Sequence, residues 1–325
     1  MSSRRHLGTD GPVVSAIGLG CMGMSGAYGP ADEAESMATI RGALDLGLSH
    51  LDTSASYGRG HNETLVGRAI AGRRDEVFLA TKFGIIRGAE GVRIDSGPEW
   101  ARASCEESLR RLGTDVIDLF YVHRRNPSMP IEPTIEELAR LVAEGKIRHI
   151  GLSEVAVETI RRAHAVHPIA ALQVEYSIFS RHIEASVLPV CRELGVGVVA
   201  YSPVGGGLLT GKFSVPADVP DSQRGEPRTA EGNLERNLEL VARLRNIAAE
   251  VGCTPAQLAL AWLLAQGEDI VVIPGTRRLS YVEENGLAAG IHLDADVLSR
   301  IVVAVPPDAV AGDRLSPAHA PYVGH

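Results

Sequence analysis

The amino-acid sequence predicts an α/β fold of the (β/α)8, or TIM-barrel, class. Eight short apolar segments rich in β-branched residues recur along the 325 residues, and segments of helical period lie between them. Strands buried on both faces of a parallel sheet have this unalternating apolar character. An open doubly wound sheet is less favoured, because no GxGxxG motif follows the first strand. We therefore predict a single domain over residues 1–325, with its barrel at about residues 15–290.

The predicted strands alternate with helices, as crossover connections in a parallel sheet require. They are Ile17–Met22, Ser49–Asp52, Val77–Lys82, Ile117–His123, Ile147–Ser153, Ala171–Glu175, Val196–Tyr201 and Ile270–Pro274. The predicted helices carry apolar residues on one face or begin with a proline suited to the first helical turn. They are Glu33–Leu46, Pro98–Leu112, Thr134–Ala143, Val155–His167, Glu184–Leu194 and Pro255–Leu264.

Three segments fall outside the eightfold pattern. Residues 5–15 predict a hairpin around Thr9-Asp10-Gly11 that caps the barrel floor. Residues 205–233 form a long loop after strand seven, rich in Gly, Pro and charge, and loops of that length are usually functional or disordered. Residues 304–325 contain four prolines and no helical pattern, which predicts a mobile C-terminal tail.

Charge, cysteine spacing and hydropathy argue against several classes of function. The net charge is −8 and no run of Lys and Arg is long, so we expect no nucleic-acid partner. The cysteines show no metal-ligand spacing, so we expect free thiols and no metal site. No segment resembles a signal peptide or approaches the ~20 apolar residues of a membrane span. These features favour a protein of the reducing cytoplasm without a membrane partner.

Four residues near the ends of three successive predicted strands indicate proton-transfer chemistry. They are Asp52, Tyr57, Lys82 and His123. A parallel barrel gathers the C-terminal ends of its strands on one face, where such barrels carry out catalysis. An ammonium beside a phenol favours the phenolate, and a carboxylate keeps a partly buried ammonium charged. Taken singly, the lysine–aspartate pair could be structural and the histidine a core residue, but together they indicate an active site for a carbonyl.

The chain resembles the aldo-keto reductase superfamily, in the bacterial and plant branch that includes perakine-reductase-like enzymes. The resemblance rests on the segments GLGCMGMSGAYG, LDTSASYGRGHNETLVGRAI, ATKFG, SLRRLGTDVIDLFYVHR, EGKIRHIGLSE, LQVEYSIFSR, YSPVGGGLLTGKF and VVIPGTRRLSYVEENG. It implies NADPH-dependent reduction of aldehydes or ketones to alcohols. Tyr57 would be the acid, Lys82 and Asp52 would tune it, and His123 would orient the substrate.

The same resemblance implies a set of NADP(H)-binding residues. Ser153 and Gln173 would hold the nicotinamide carboxamide, and Tyr201 would stack on the ring. The loop over the pyrophosphate would include Ser202, Pro203, Gly205, Gly207 and Leu209. Gly275 and Thr276 would meet the ribose phosphate, Arg277 or Arg278 the 2′-phosphate, and Glu284 and Asn285 the adenine. Three positions depart from the family pattern, since Glu154 stands where Asn is common, Gly206 where Arg is common and Asn126 where Asp is common.

The substrate pocket is indicated only by residues in the loops around the four central groups. Its candidates are Met24, Tyr28, Phe83 and Arg124. Apolar and aromatic side chains suit an adaptable pocket. Arg124 could meet an anionic substrate, although a surface salt bridge is the role that the sequence favours.

Two other functions are compatible with parts of the pattern. Lys82 could form a Schiff base in an aldolase, since barrels host such enzymes. That interpretation leaves Tyr57 and the two adjacent arginines unexplained. A regulatory nucleotide-binding subunit, like the potassium-channel β-subunits of this fold, would bind NADPH and turn over slowly. No feature of the sequence marks a partner-binding surface for it.

Overall fold

A closed barrel of eight parallel strands forms the centre of the molecule. The structure is a computed structural model that describes residues 3–88 and 91–325. Its strands are β1 (Arg4–His6), β2 (Val13–Ser15), β3 (Leu19–Gly20), β4 (His50–Asp52), β5 (Phe78–Phe83), β6 (Ile85–Gly88), β7 (Gly91–Ile94), β8 (Ile117–Val122), β9 (Ile147–Ser153), β10 (Ile169–Glu175), β11 (Gly197–Tyr201) and β12 (Ile270–Val272). The predicted α/β barrel is therefore confirmed.

The barrel strands follow one another in the order β3-β4-β5-β8-β9-β10-β11-β12. Every neighbouring pair is parallel. The chain just before β3 closes the barrel against β12, because Gly18 N donates to Val272 O at 2.8 Å and Val272 N donates to Ala16 O at 3.0 Å. Closure gathers all eight C-terminal strand ends into one ring.

Helices surround the barrel and bury its outer face. They are α1 (Glu33–Asp45), α2 (His61–Ile70), α3 (Pro98–Leu112), α4 (Glu132–Ala143), α5 (Val157–Val166), α6 (Val187–Leu194), α7 (Asn233–Val251), α8 (Pro255–Leu264), α9 (Leu279–Leu287) and α10 (Ala295–Ala304). Most strand residues that point outward join a large apolar layer between sheet and helices, as Leu51 and Phe120 do. A second, smaller apolar cluster fills the barrel itself.

The hairpin β1–β2 forms the floor of the barrel, as its sequence predicts. Its strands are antiparallel, with Arg5 opposite Val14. Leu7 and Val14 are fully buried and pack with Leu119, Val199 and other inward-facing residues of the interior. The apolar hairpin therefore closes the N-terminal end of the barrel.

The predicted helix and strand positions are close to those observed, and several further elements were not predicted. All eight barrel strands lie at the expected places, and α3 and α8 have the expected bounds. Helices α2, α7, α9 and α10 and the hairpin β6–β7 were missed. The long loop after strand seven is present and ends at α7. Among the described residues no single helix combines the length and apolar composition of a membrane span, and only α7 with α8, bent by 83°, meets that criterion as a pair.

The segment after α10 folds back across the C-terminal face of the barrel. Asn237 Nδ2 donates to Ala311 O, and Ala311 N donates to Asn237 Oδ1, both at 2.9 Å. At its end Gly324 N donates to Glu154 O at 2.8 Å, and His325 O accepts from Ala156 N at 3.2 Å. The mobility that the sequence predicts for this segment stays a prediction. In the structure the end of the segment lies beside the end of β9.

Candidate active site

Asp52 and Lys82 meet inside the barrel because they lie at the C-terminal ends of neighbouring strands. Both side chains are buried, and Lys82 Nζ donates to Asp52 Oδ1. The same nitrogen donates to Thr53 O at 2.7 Å. Gln173, across the barrel on β10, donates from Nε2 to Asp52 Oδ2 at 2.8 Å. Both carboxylate oxygens of Asp52 therefore have partners, which a buried charge requires.

Tyr57 reaches the same lysine from the loop after β4. Its hydroxyl lies 3.4 Å from Lys82 Nζ, and the ammonium is 5.1 Å from the centre of the phenol ring. The loop is fixed to the end of β5, since Ala55 N donates to Lys82 O at 3.1 Å. Tyr57 is only partly buried, so its hydroxyl faces both the lysine and the open end of the barrel.

His123 completes the group at the end of β8. Its ring lies edge-on to Tyr57, with centroids 5.8 Å apart. Its Nδ1 is 3.1 Å from Ser54 Oγ, so this hydroxyl fixes the ring orientation. Burial, together with the charges of Arg124, Lys82 and Arg87, holds the pKa of His123 well below its usual range. The imidazole is therefore neutral at pH 7.

The protonation states of Lys82 and Tyr57 depend on each other. Burial favours the neutral amine, but Asp52, Tyr57 and their hydrogen bonds outweigh it and raise the pKa of Lys82. Burial raises the pKa of Tyr57, and the Lys82 ammonium acts against that rise. The pair is thus a charged ammonium beside a protonated phenol. The lysine moves the phenol in the direction that the sequence predicts, although burial dominates the net shift.

Ser153, Gln173 and Tyr201 lie on three successive strands beside the four central residues. Ser153 and Gln173 are direct neighbours in the β9–β10 register. Tyr201 ends β11 and remains partly exposed. The residue after each of Ser153 and Tyr201 has a left-handed backbone, with φ 53° at Glu154 and φ 49° at Ser202. Non-glycine residues adopt this conformation rarely, and it is concentrated at functional sites.

Glu154 links Tyr201 to the C-terminal segment. Its Oε1 accepts from Tyr201 OH at 2.9 Å and from Glu175 N at 2.8 Å. Arg314 donates to both carboxylate oxygens, at 2.9 and 3.0 Å. Burial alone would raise the pKa of Glu154, but Arg314 and the Glu175 amide lower it below its usual value. Where the family commonly has Asn, this chain therefore has a charged group that fixes the tail.

The loop after β11 is built on three glycines with a left-handed backbone. Gly205, Gly206 and Gly207 all have positive φ, at 57°, 65° and 102°. Successive left-handed residues are readily adopted only by glycine. Two of the backbone N–H groups are used within the loop, since Gly205 N donates to Ser202 O at 2.9 Å and Gly207 N donates to Val204 O at 3.0 Å. The loop is joined to α9, because Lys212 Nζ lies 3.3 Å from the centre of the Tyr281 ring. Leu209 and Pro203 are buried beneath it.

The two adjacent arginines after β12 have different surroundings. Arg277 Nη1 donates to Pro30 O at 2.5 Å and to Gly29 O at 3.2 Å, so its guanidinium is bound to the loop before α1. Arg278 is exposed, at the N-cap of α9, with its guanidinium 5.8 Å from the Tyr281 ring. The geometry thus leaves Arg278 as the one of the pair whose guanidinium is open to a ligand.

The other predicted adenosine residues lie close by. Thr276 and Asn285 line one small cleft, with Gly275 next to it on the rim. Glu284 accepts a hydrogen bond from Thr254 Oγ1 at 2.7 Å, and this contact ties α9 to the start of α8.

The sequence comparison decides the family. Residues 16–305 match the aldo/keto reductase family. The chain belongs to this family. It is 46% identical over 313 residues to probable aldo-keto reductase 1 of Glycine max, a match that covers 95% of this chain and 90% of that protein.

Solved structures of family members have the same fold. Glycerol dehydrogenase AKR11B4 from Gluconobacter oxydans gives a TM-score of 0.83 at 31% identity, over 94% of this chain and 97% of that one. An aldo-keto reductase from Klebsiella pneumoniae, solved in complex with NADPH, gives 0.77 at 30% identity, over 97% and 99% of the two chains.

The structure brings only part of the predicted substrate pocket to the site of this aldo-keto reductase. Phe83 is buried and stacks on Phe120, with ring centroids 5.0 Å apart. It follows Lys82 on β5, and successive strand residues point to opposite faces, so Phe83 points away from the barrel interior. Met24 is likewise buried in the apolar layer under the helices. These two assignments are corrected, whereas Tyr28, 37% exposed, and half-buried Arg124 remain available to a substrate.

Several site residues were not found by sequence reasoning. Ser54 lies two residues after Asp52, within the same segment. Glu175 ends β10, and the strand-end position that drew attention to Asp52 would have identified it. Arg314 lies in a segment without periodicity, so no sequence signal pointed to it. Among the described residues there is no group of three His, Cys, Asp or Glu that could hold a metal ion. The four cysteines are free, and burial raises the pKa of Cys21 beside Asp52 to about 12.

Proposed function

We propose that this aldo-keto reductase reduces aldehydes or ketones to alcohols with NADPH, as a carbonyl reductase or alcohol dehydrogenase. One observation carries the proposal: the Tyr57 hydroxyl lies 3.4 Å from Lys82 Nζ, which Asp52 binds, and the neutral His123 ring is beside it. A general acid needs a proton within hydrogen-bond reach of the substrate and a group that stabilises its conjugate base. Tyr57 and Lys82 have those two properties.

The residues around Asp52, Tyr57, Lys82 and His123 fit NADP(H). Ser153 and Gln173 carry a hydroxyl and an amide at adjacent positions, which suits a carboxamide. Tyr201 offers an aromatic face to a flat ring. The three glycines at 205–207 carry no side chains that would block the close approach of a pyrophosphate. Arg278 at the N-cap of α9 suits the 2′-phosphate, because helix N-termini attract anions. When bound, the cofactor supplies the hydride.

The chain itself supplies the proton. Tyr57 donates its phenolic proton to the carbonyl oxygen as the alcohol forms. Lys82 stabilises the phenolate left behind, and Asp52 keeps Lys82 charged. His123 carries a neutral ring whose Nε2 makes no hydrogen bond within the described residues, so Nε2 is free to donate to the same oxygen when Nδ1 accepts from Ser54. Both donors act where negative charge develops.

The aldolase interpretation is disfavoured by the state of Lys82. A Schiff base requires a neutral, nucleophilic amine. Here the amine is charged, with Asp52, Thr53 O and Tyr57 around it, and its pKa is raised. The regulatory-subunit interpretation is disfavoured by the complete set of four groups at contact distance. We also propose a reducing, cytoplasmic location, which the four free cysteines support.

A turnover screen tests the proposed function. Purified protein is mixed with NADPH and a panel of pyridoxal, short aldehydes, aromatic aldehydes and quinones, and NADPH absorbance is followed. We expect alcohol formation in step with NADPH loss for at least one class. NADPH binding without turnover on the whole panel would instead support a regulatory subunit. Trapping of a substrate on Lys82 by borohydride would support an aldolase.

A further inference from the structure

Arg124 is fixed at the mouth of the barrel between the predicted substrate and cofactor residues. It follows His123 directly at the end of β8. Its Nη1 donates to His123 O at 2.6 Å and to Ser153 Oγ at 3.0 Å. These two contacts use both hydrogens of Nη1. The edge of the guanidinium formed by Nε and Nη2 makes no hydrogen bond within residues 3–88 and 91–325.

Three other cations with largely buried side chains at this end of the barrel each have a carboxylate partner. Lys82 is paired with Asp52, and Arg314 with Glu154. Arg228 lies 3.3 Å from Glu175. Arg124 alone among these cations has no carboxylate within 4.0 Å in the described part of the chain. The surface salt bridge that the sequence favoured is therefore not formed, and one half-buried positive charge is left uncompensated.

The charge of Arg124 affects the pKa of the two side chains that would hydrogen-bond the carbonyl oxygen, Tyr57 and His123. It helps to keep the pKa of His123 low, after burial, and it opposes the rise that burial causes in the pKa of Tyr57. The charge of Arg124 is therefore felt at both Tyr57 and His123, and its hydrogen bond to His123 O fixes it beside the histidine. Arg87 on β6 adds a second positive charge that is felt at His123.

We propose that Arg124 recognises an anionic group of the substrate, so that the preferred substrates are small aldehydes or ketones that also carry a carboxylate or phosphate. This inference rests on the proposed carbonyl reduction. The free Nε–Nη2 edge is the side of a guanidinium that binds two oxygens of one anion in parallel. The anion also compensates a half-buried charge that has no carboxylate within 4.0 Å in the described residues, which a neutral substrate cannot do.

Matched substrates test the inference. Wild-type protein is assayed with 4-oxobutanoate against its methyl ester, and with glyceraldehyde 3-phosphate against glyceraldehyde. A charge-assisted hydrogen bond predicts an anion-to-neutral ratio of kcat/KM of about ten to a hundred. The ratio should fall as ionic strength rises. The two pairs distinguish carboxylate from phosphate as the recognised group.

Substitutions of Arg124 test whether this residue causes the preference for anionic substrates. Arg124→Gln keeps an amide donor for Ser153 and removes the charge, so the ratio should fall to about one. Arg124→Lys keeps the charge and loses the planar fork, so it should restore part of the ratio. Arg93→Gln, on an arginine that is exposed on β7 and paired with Asp95, should keep the wild-type ratio. Circular dichroism confirms that each variant is folded.

The outcomes separate this inference from the proposed function. Reduction of the neutral substrates with no preference for the anions would overturn the role of Arg124 and leave carbonyl reduction standing. An unchanged ratio in folded Arg124→Gln would do the same. If no member of either pair, nor of the wider aldehyde panel, is reduced, the proposed function itself fails.

Discussion

Two fully buried basic side chains inside the barrel differ in protonation state: His50 is neutral and Lys82 is positively charged. His50 and Asp52 point inward from the same strand, because residues two apart on a strand share a face. His50 lies one layer below, where its ring nitrogens have no hydrogen-bond partner in the described residues. Burial lowers the pKa of His50 to about 4, so it is neutral. Lys82 is as deeply buried, yet the carboxylate of Asp52 keeps it charged.

The difference separates the effect of burial on the pKa of a base from the effect of a hydrogen-bonded counter-charge. Removing a base from water favours its neutral form, and a hydrogen-bonded counter-charge reverses that effect. The lower layer of the barrel is apolar and has no carboxylate to offer His50. The upper layer contains Asp52, Gln173 and Tyr57, and there the same low polarity strengthens each electrostatic contact.

Tyr57→Phe is the substitution with the largest expected effect on the upper layer. It removes the proposed proton donor and leaves the ring in place. General acid catalysis contributes about 10²–10⁴ in rate, so turnover should fall by that factor. NADPH affinity, measured by fluorescence titration, should change little. A variant that reduces aldehydes at the wild-type rate would contradict the role of Tyr57.

Lys82→Met tests whether the buried charge acts through the phenol. Without the ammonium, the pKa of Tyr57 rises further, since burial is then opposed only by the smaller effect of Arg124. A hydrogen bond to a charged group contributes roughly 1.5–3 kcal/mol, so reduction should slow by about ten- to a hundredfold. Alcohol oxidation needs the phenolate, so its pH profile should move to more alkaline pH.

The control for Lys82→Met removes both charges. Lys82→Met alone leaves Asp52 buried without its partner, which can destabilise the protein by about 3–5 kcal/mol. The double variant with Asp52→Asn avoids that cost and should fold. Because Asp52 itself raises the pKa of Tyr57, the double variant is compared with Asp52→Asn alone. The same oxidative pH profile in both would show that Lys82 does not tune Tyr57.

His50→Leu examines the lower layer. The pKa of His50 is about 4 in the folded protein and about 6.5 in an unfolded chain, so the unfolded state binds more protons between these values. The free energy of unfolding therefore falls as pH falls from 6.5 towards 4, with about 2 kcal/mol lost by pH 5. His50→Leu should abolish that part of the pH dependence and leave turnover at pH 7 nearly unchanged.

Urea denaturation at pH 7 and pH 5 measures this effect, with His292→Leu as a control for loss of an exposed histidine. If wild type and His50→Leu lose the same stability between the two pH values, His50 is not a buried neutral base.

Arg278→Ala has the smallest expected effect, because it tests a charge at the exposed rim. Solvent screens such a group, so the preference for NADPH over NADH should fall by only about tenfold. Arg277→Ala is the matched control, since its guanidinium is bound to the carbonyl groups of Gly29 and Pro30. Dissociation constants for both cofactors should show the loss in Arg278→Ala alone. An equal loss in Arg277→Ala would reverse the assignment.

The central groups could be predicted from the sequence because a parallel barrel fixes where strand ends meet. Asp52, Lys82 and His123 each end or follow a strand, and their chemistry is complementary. The same rule of alternating faces would have excluded Phe83, which is adjacent to Lys82 and must point the other way.

Other features depend on contacts that no local pattern encodes. Arg314 reaches Glu154 from 160 positions further along the chain. Arg277 and Arg278 are identical and adjacent in the sequence, and only the loop before α1 distinguishes them by binding the first. The missing carboxylate beside Arg124 is also a property of the folded chain. Residues 119–131 contain no Asp or Glu, but only the fold shows that no distant carboxylate reaches Arg124 either.

The floor made by β1 and β2 has a consequence for proton supply. Leu7 and Val14 close the lower end of the barrel. In the described part of the chain, buried Lys82 and partly buried Tyr57 therefore contact water only through the upper opening. In the proposed reaction each turnover consumes one proton from Tyr57, and we expect its replacement to arrive along the route by which the alcohol leaves. We therefore expect that Tyr57 is reprotonated and the alcohol departs through the same opening, one after the other.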